Sequence, residues 1–229
     1  MTLSFHRFDT WRARIWAFGQ MTFARWPLWR LSECRFWKLC GSGSGDGFAA
    51  VPEPSIWAIL ACWPDETTAR RQLAEAGVFR RWRARAAESW TLYLRPVSAR
   101  GAWSGRQPFD AGPETEGPLA ALTRATIRTR HLAPFWKRVP RISDAVAKDG
   151  NVAFKIGISA LPWLHQATFS VWPDADTMAE FARRDGPHAR AIRAVRDGGW
   201  FSEELYARFR VIGTEGTWSG ARAIPGMAA

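Results

Sequence analysis

The sequence predicts an α+β protein made of two fused ferredoxin-like β-α-β-β-α-β repeats, packed sheet to sheet as an α+β barrel. Three observations predict it. The phrase "CWPDETTARRQLAEAGVF" (62–79) returns as "VWPDADTMAEFARRDGPH" (171–188), with His188 standing where the first copy has Phe79. Strand-like runs rich in β-branched and aromatic residues flank both copies in the same order. Each half then closes on a matching pentapeptide, "GAWSG" (101–105) and "GTWSG" (216–220). A four-stranded sheet alone leaves one face bare, and two such sheets can cover each other.

The elements follow in order. "LSFHRF" (3–8) opens the first half as a strand, and 11–33 reads as helical. "FWKLCGSG" (36–43) and "SIWAILAC" (55–62) are strands joined by the flexible connection "GSGSGDGFAAVPEP" (41–54). Pro64 then turns the chain and Asp65 caps the next helix. "WTLYLRP" (90–96) is the fourth strand, and "RQPFDAGPETEGP" (106–118) reads as a linker. The second half repeats the plan: strand "LAALTRATIR" (119–128), helix 131–148, strands "AFKIGISA" (153–160) and "LHQATFSV" (164–171), a capped helix, and strand "ARFRVIG" (207–213). Aligning "FWKLCGSG" with "AFKIGISA" sets Trp37 against Phe154. The units are therefore 1–105, the linker 106–118, 119–220 and a tail 221–229.

Composition narrows the partners. The chain has 229 residues, a formal net charge of +11 and 15 Trp. The basic residues, mostly Arg, favour an acidic partner, but they form no long block, which argues against nucleic acid. Anionic lipid or an acidic protein remain. Three Cys (Cys34, Cys40, Cys62) without CxxC spacing imply a reducing compartment and no disulfide framework. No apolar run approaches the roughly 20 residues a transmembrane helix needs. The amino-terminal residues lack the apolar stretch of a signal peptide.

Several motifs carry little. "WPD" resembles the acid loop of tyrosine phosphatases, but no cysteine stands in a phosphate loop ending in Arg. "GSGSGDG" fits neither nucleotide-binding glycine pattern. Cys40, before a glycine, could offer a thiolate to iron or could be a buried strand cysteine. Of the 4 His, His6 and His131 read as structural or exposed. His165 shares a strand face with Ala167, Phe169 and Val171, so it is either a core histidine or the lining of a cavity.

His188 is the most informative. Gly186-Pro187 breaks one helix and starts another, putting His188 in its first turn, in line with Ala191, Ile192 and Val195. A helix amino terminus favours neutral imidazole, the form that ligates iron. The alternative is a buried histidine with a backbone partner. No HxxxH or CxxC spacing supports zinc.

The chain resembles the spheroidene monooxygenase family, the acyclic carotenoid 2-ketolases of purple photosynthetic bacteria. The residues that carry the resemblance include "WAFGQM" (16–21), "FWKLCGSGSGDGF" (36–48), "WAILACWPDE" (57–66), "GAWSGRQPF" (101–109), "PWLHQATFSVWPD" (162–174), "PHARAIRAVR" (187–196) and "GWFSEELYARF" (199–209). The resemblance implies a haem-dependent, O2-using oxidation of C2 of an acyclic carotenoid to a ketone, through two successive hydroxylations. It also implies the fold of dimeric α+β barrel haem proteins, with haem b held by a histidine on a helix. The position that fits is His188, with Ile192, Val195 and Phe169 beside the cofactor and His165 or Cys40 as the alternative ligands. His165, Gln166, Arg124 and Lys155 are the polar groups expected near the reacting oxygen. A ferredoxin-type electron donor and a cytoplasmic enzyme lying peripherally on the inner, photosynthetic membrane complete the expectation. A haem carrier of the same fold and a basic nucleic-acid-binding protein are the rival readings.

Overall fold

In the computed structural model the residues described are 1–44, 51–113, 116–137, 152–161, 163–183, 198–218 and 224. His188, Ile192 and Val195 lie outside them. The first half runs β1 (Thr2–Arg7), α1 (Trp11–Phe23), α2 (Arg25–Trp29), β2 (Phe36–Gly43), β3 (Pro52–Cys62), α3 (Glu66–Glu75), α4 (Gly77–Arg85) and β4 (Glu88–Gly101). The second runs β5 (Leu119–Ile127), a 3₁₀ turn at Thr129–His131 continuing into α5 (helical over 132–137), β6 (Phe154–Ser159), β7 (His165–Trp172), α6 (Ala175–Arg183) and β8 (Phe201–Gly216).

The repeated phrase marks helix starts, as expected. Asp65 Oδ1 accepts from the Thr68 N–H, and Asp174 Oδ1 from the Thr177 N–H, each at 2.7 Å. The helix expected over 11–33 is broken after Phe23. Pro27 has no N–H to donate, and its ring would meet the Phe23 carbonyl four residues back, so α2 starts afresh.

The eight strands among the described residues form one antiparallel sheet closed into a barrel in the order β1-β3-β2-β6-β7-β5-β8-β4. Each half contributes a ferredoxin-like run, β2-β3-β1-β4 and β6-β7-β5-β8. The halves do not only cover each other; they are hydrogen-bonded along both edges. β4 pairs with β8 from Trp90↔Gly216 to Gly101↔Leu205, whereas β2 meets β6 only at Gly41↔Ser159 and Ser42↔Ile158. β4 and β8 are accordingly longer than their sequence patterns predict. Pro96 reads as a strand end, but a bulge between Pro96 and Ser98 absorbs it and pairing continues.

Alternation sorts the side chains into two layers. The barrel interior holds Leu3, Phe5, Cys40, Leu60, Trp90, Leu92, Leu122, Phe154, Ile156, Phe169, Leu205 and Phe209, all buried. Phe5 meets Phe154 and Phe169 at ring-centroid distances of 5.5 and 6.2 Å, and Trp90 meets Phe154 at 4.9 Å. Outside the first half, Trp57, Ile59, Ala61 and Tyr93 pack under Ala17, Leu28, Leu73, Phe79 and Trp82 of the four helices. Within 106–118, Phe109 is buried and stands edge-on to Phe209 at 5.0 Å, so this stretch is tied to the barrel.

The ladders correct one alignment. Ala61 pairs with Trp37 and Ser170 with Lys155, so Trp37 corresponds to Lys155, not Phe154. Phe154 points into the barrel and Trp37 away from it. A one-residue slip reverses every side chain of a strand.

Candidate functional site

Two constellations stand out, one inside the barrel at one end, the other on the outer face of the second half. The interior one is built on inward positions of four strands. Arg124 follows Ala120 and Leu122 along β5, His165 precedes Ala167 on β7, Lys38 precedes Cys40 on β2, and Glu203 precedes Leu205 on β8. Arg124 is 3% exposed and ion-paired to Glu203 through Nη1. Glu203 also accepts the N–H groups of Gly105 (2.7 Å) and Ser104 (3.1 Å).

Those donors come from the "GAWSG" turn. Ser104 and Gly105 have φ of 55° and 70°, the left-handed pair of a tight hairpin closed by Trp103 and Arg106. The turn aims both N–H groups at one carboxylate. Lys38 Nζ donates to Ser104 Oγ at 2.8 Å, and the Trp103 ring lies 5.7 Å from the Arg124 guanidinium. Burial opposes ionisation of Glu203, but the Gly105 and Ser104 N–H groups and Arg124 outweigh it and hold its carboxyl below the usual range. Burial, then the charges of Arg124 and Lys38, lower the pKa of His165, so its imidazole is neutral; Nδ1 has no hydrogen-bond partner among the described residues.

The opposite end of the barrel repeats this arrangement. Glu88 pairs with Arg7 at 3.1 Å, and Trp218 of "GTWSG" lies 4.7 Å from the Arg7 guanidinium. The tryptophan ending each half thus covers an arginine of the other.

The four polar candidates are therefore not one group. His165 and Gln166 are neighbours on a strand and face opposite ways. Arg124 and His165 come together inside the barrel, while Lys155 and Gln166 stand on its outer side. Phe169 lies in the interior core, fully buried. Lys38, Glu203 and Ser104 were not singled out from the sequence. An arginine at an inward register position was the available signal, because a buried guanidinium demands a carboxylate.

The outer face of the second sheet differs from that of the first in one consistent way. With Ala61 matched to Ser170, the ladders match Trp37 to Lys155, Leu39 to Gly157, Trp57 to Gln166, Ile59 to Thr168 and His6 to Ala125. Each of these five side chains is replaced by a small or polar one in the second half, whereas Trp63 is matched by Trp172.

The other described histidines, His6 and His131, and Cys40 sit in structural settings. His6 Nδ1 bonds Ser89 Oγ at 2.9 Å between Phe8 and Trp82, and burial lowers its pKa to about 3. His131 stacks on Trp200 at 5.2 Å and accepts from Arg130. Burial pushes the Cys40 thiol up to about 12, against a thiolate role. Among the described residues no three His, Cys, Asp or Glu cluster as a metal site.

A closed eight-stranded α+β barrel with one face cut back to small and polar residues defines a ferredoxin-like barrel protein with an asymmetric pair of sheets. Aldoxime dehydratase has this fold, with a TM-score of 0.64 and 12% identity over 92% of this chain and 80% of that one. No family model matches the chain. Spheroidene monooxygenase of Rhodobacter capsulatus is 50% identical over 96% of this chain and 92% of its own. Spheroidene monooxygenase of Cereibacter sphaeroides is 48% identical over 96% of this chain and 69% of its own. The chain belongs to the spheroidene monooxygenase family, and it is an oxidoreductase of the monooxygenase type.

Proposed function

We propose that the chain is a haem-dependent monooxygenase that oxidises C2 of an acyclic carotenoid to a ketone, taking electrons from a ferredoxin-type donor. The observation that carries this reading is the replacement of Trp37, Leu39, Trp57, Ile59 and His6 by Lys155, Gly157, Gln166, Thr168 and Ala125 on the second outer face. Two halves built as duplicates would place their second helices alike. Phe79 on α4 is buried in the layer over the first sheet, its ring 5.9 Å from that of Trp63. By the repeated phrase the matching position in the second half is His188, which a true duplication would set over the second sheet's outer face.

The residues present fit a flat, ligand-bearing group there. Cut-back side chains would leave room on that face, whereas Phe5, Trp90, Phe154 and Phe169 fill the barrel interior, and one imidazole suffices when the macrocycle brings four nitrogens of its own. His188 would hold haem b, with Ile192 and Val195 on the same helical stripe. When bound, the haem would supply O2 activation.

The chain's own groups would orient the reactants. Lys155 and Gln166 carry hydrogen-bond donors on that face. Arg124 and His165 belong to the interior cluster and act on the reaction only through the sheet that separates the two sides. A first hydroxylation at C2 gives an alcohol, and a second at the same carbon gives a geminal diol that loses water to the ketone. A carotene dissolves in lipid, so the reading also requires peripheral contact with a membrane. No described helix is long and apolar enough to cross one.

The test is an absorption spectrum beside pigment analysis after expression in a carotene-producing host. The expected result is a Soret band, a ketocarotenoid product, and loss of both in His188→Ala but not in His165→Ala. A colourless wild type that leaves the carotene unchanged overturns the reading. A haem-loaded protein without product points to a carrier.

A further inference from the structure

The structure assigns the α1–α2 segment as the element that seats the protein on an anionic lipid bilayer, an assignment that rests on the monooxygenase reading only for its purpose. α1 is apolar on two opposite sides. Ala13, Trp16 and Ala17 face the first sheet's outer layer. Trp11, Ile15 and Phe18, at i, i+4 and i+7, form a stripe on the opposite side. With Phe23, Trp26 and Trp29 they are between 62% and 75% exposed. An ordinary surface helix carries polar residues there; this one carries the side chains that settle at the boundary between lipid headgroups and acyl chains.

The charge around the stripe says which partner covers it. From Thr10 to Ser32 the sequence has Arg12, Arg14, Arg25 and Arg30 and not one carboxylate. Arg12 lies over the Trp11 ring at 5.4 Å and Arg30 over Trp26 at 4.6 Å, so cation and aromatic are presented together. A two-fold contact with a second copy would bring these arginines against each other. A surface of phosphate headgroups neutralises them while the rings enter the acyl boundary. Phe18 and Trp57 are in ring contact at 6.3 Å, which ties the stripe to the barrel wall.

The test uses the full chain and sedimentation with vesicles of phosphatidylcholine alone or mixed with phosphatidylglycerol. The wild type should bind the mixed vesicles and bind them less as salt rises. Trp11→Ser, Ile15→Ser, Trp26→Ser and Trp29→Ser together should lower that affinity by about tenfold or more with an unchanged thermal melt, since none is buried. Arg12→Gln with Arg30→Gln should remove the preference for the anionic lipid. Equal binding by the aromatic variant, or a wild type that ignores both vesicles, overturns the assignment, as does an aromatic-dependent dimer. The catalytic reading is scored separately, by oxidation of carotene in detergent micelles. The aromatic variant should keep that activity and lose it only when the carotene is supplied in vesicles. A wild type inactive in micelles but bound to vesicles sinks the catalytic reading and leaves the assignment standing.

Discussion

Trp103 and Arg124 come from different halves of the chain, yet the indole lies 5.7 Å from a guanidinium that is sealed inside the barrel and ion-paired to Glu203. Removing the carboxylate would strand a buried charge. Glu203→Gln is therefore expected to cost about 3 kcal/mol in urea denaturation. Glu88→Gln at the other end should cost about 1 kcal/mol, because Arg7 keeps 28% of its side chain exposed to solvent.

Acid should expose His6. Its pKa falls from the ordinary 6.5 to about 3 in the folded state, so the folded protein refuses a proton that the unfolded chain accepts. The stability this neutral imidazole contributes is complete above pH 6.5 and is lost as pH drops towards 3. The slope is roughly 1.4 kcal/mol per pH unit for one proton. Carboxylates add their own acid sensitivity, so the measurement is the difference between wild type and His6→Leu. The two unfolding curves should converge as pH falls; parallel curves would show that His6 does not titrate in this window.

Copying the first sheet onto the second should close the proposed cofactor face. Gly157→Leu with Thr168→Ile reproduces Leu39 and Ile59. The expected variant is folded by circular dichroism and has lost its Soret band. Full cofactor retention would place the haem elsewhere.

Cys40 offers a clean contrast. With its thiol raised to about 12 by burial, it should resist alkylation in the native protein, and Cys40→Ser should leave the Soret band and its reduced carbonyl spectrum unchanged.

Much of this was legible in the sequence. The strand runs, the Asp65 and Asp174 caps and the order of elements follow from local pattern. What pattern could not give was register. "FWKLCGSG" and "AFKIGISA" look alike one residue out of phase, and only ladder hydrogen bonds decide which side each residue faces. The same blindness grouped His165 with Gln166, which adjacent positions on a strand keep apart. The true extent of β4 was hidden because Pro96 reads as a stop, and a bulge is a tertiary accommodation. The exposed face of α1 was hidden too: a helix apolar on two opposite sides does not show which side meets the sheet until the position of its neighbours is known.

The two seams of the barrel are unequal, and that has a mechanical meaning. A long ladder joins β4 to β8, while β2 and β6 share two ladder pairs, Gly41–Ser159 and Ser42–Ile158, and a hydrogen bond from Ser42 Oγ to the Gly157 carbonyl. The cylinder is thus a sleeve with one fastened side and one lightly stitched side. Amide exchange should run fastest along the stitched side, and any breathing that widens the interior would begin by parting there.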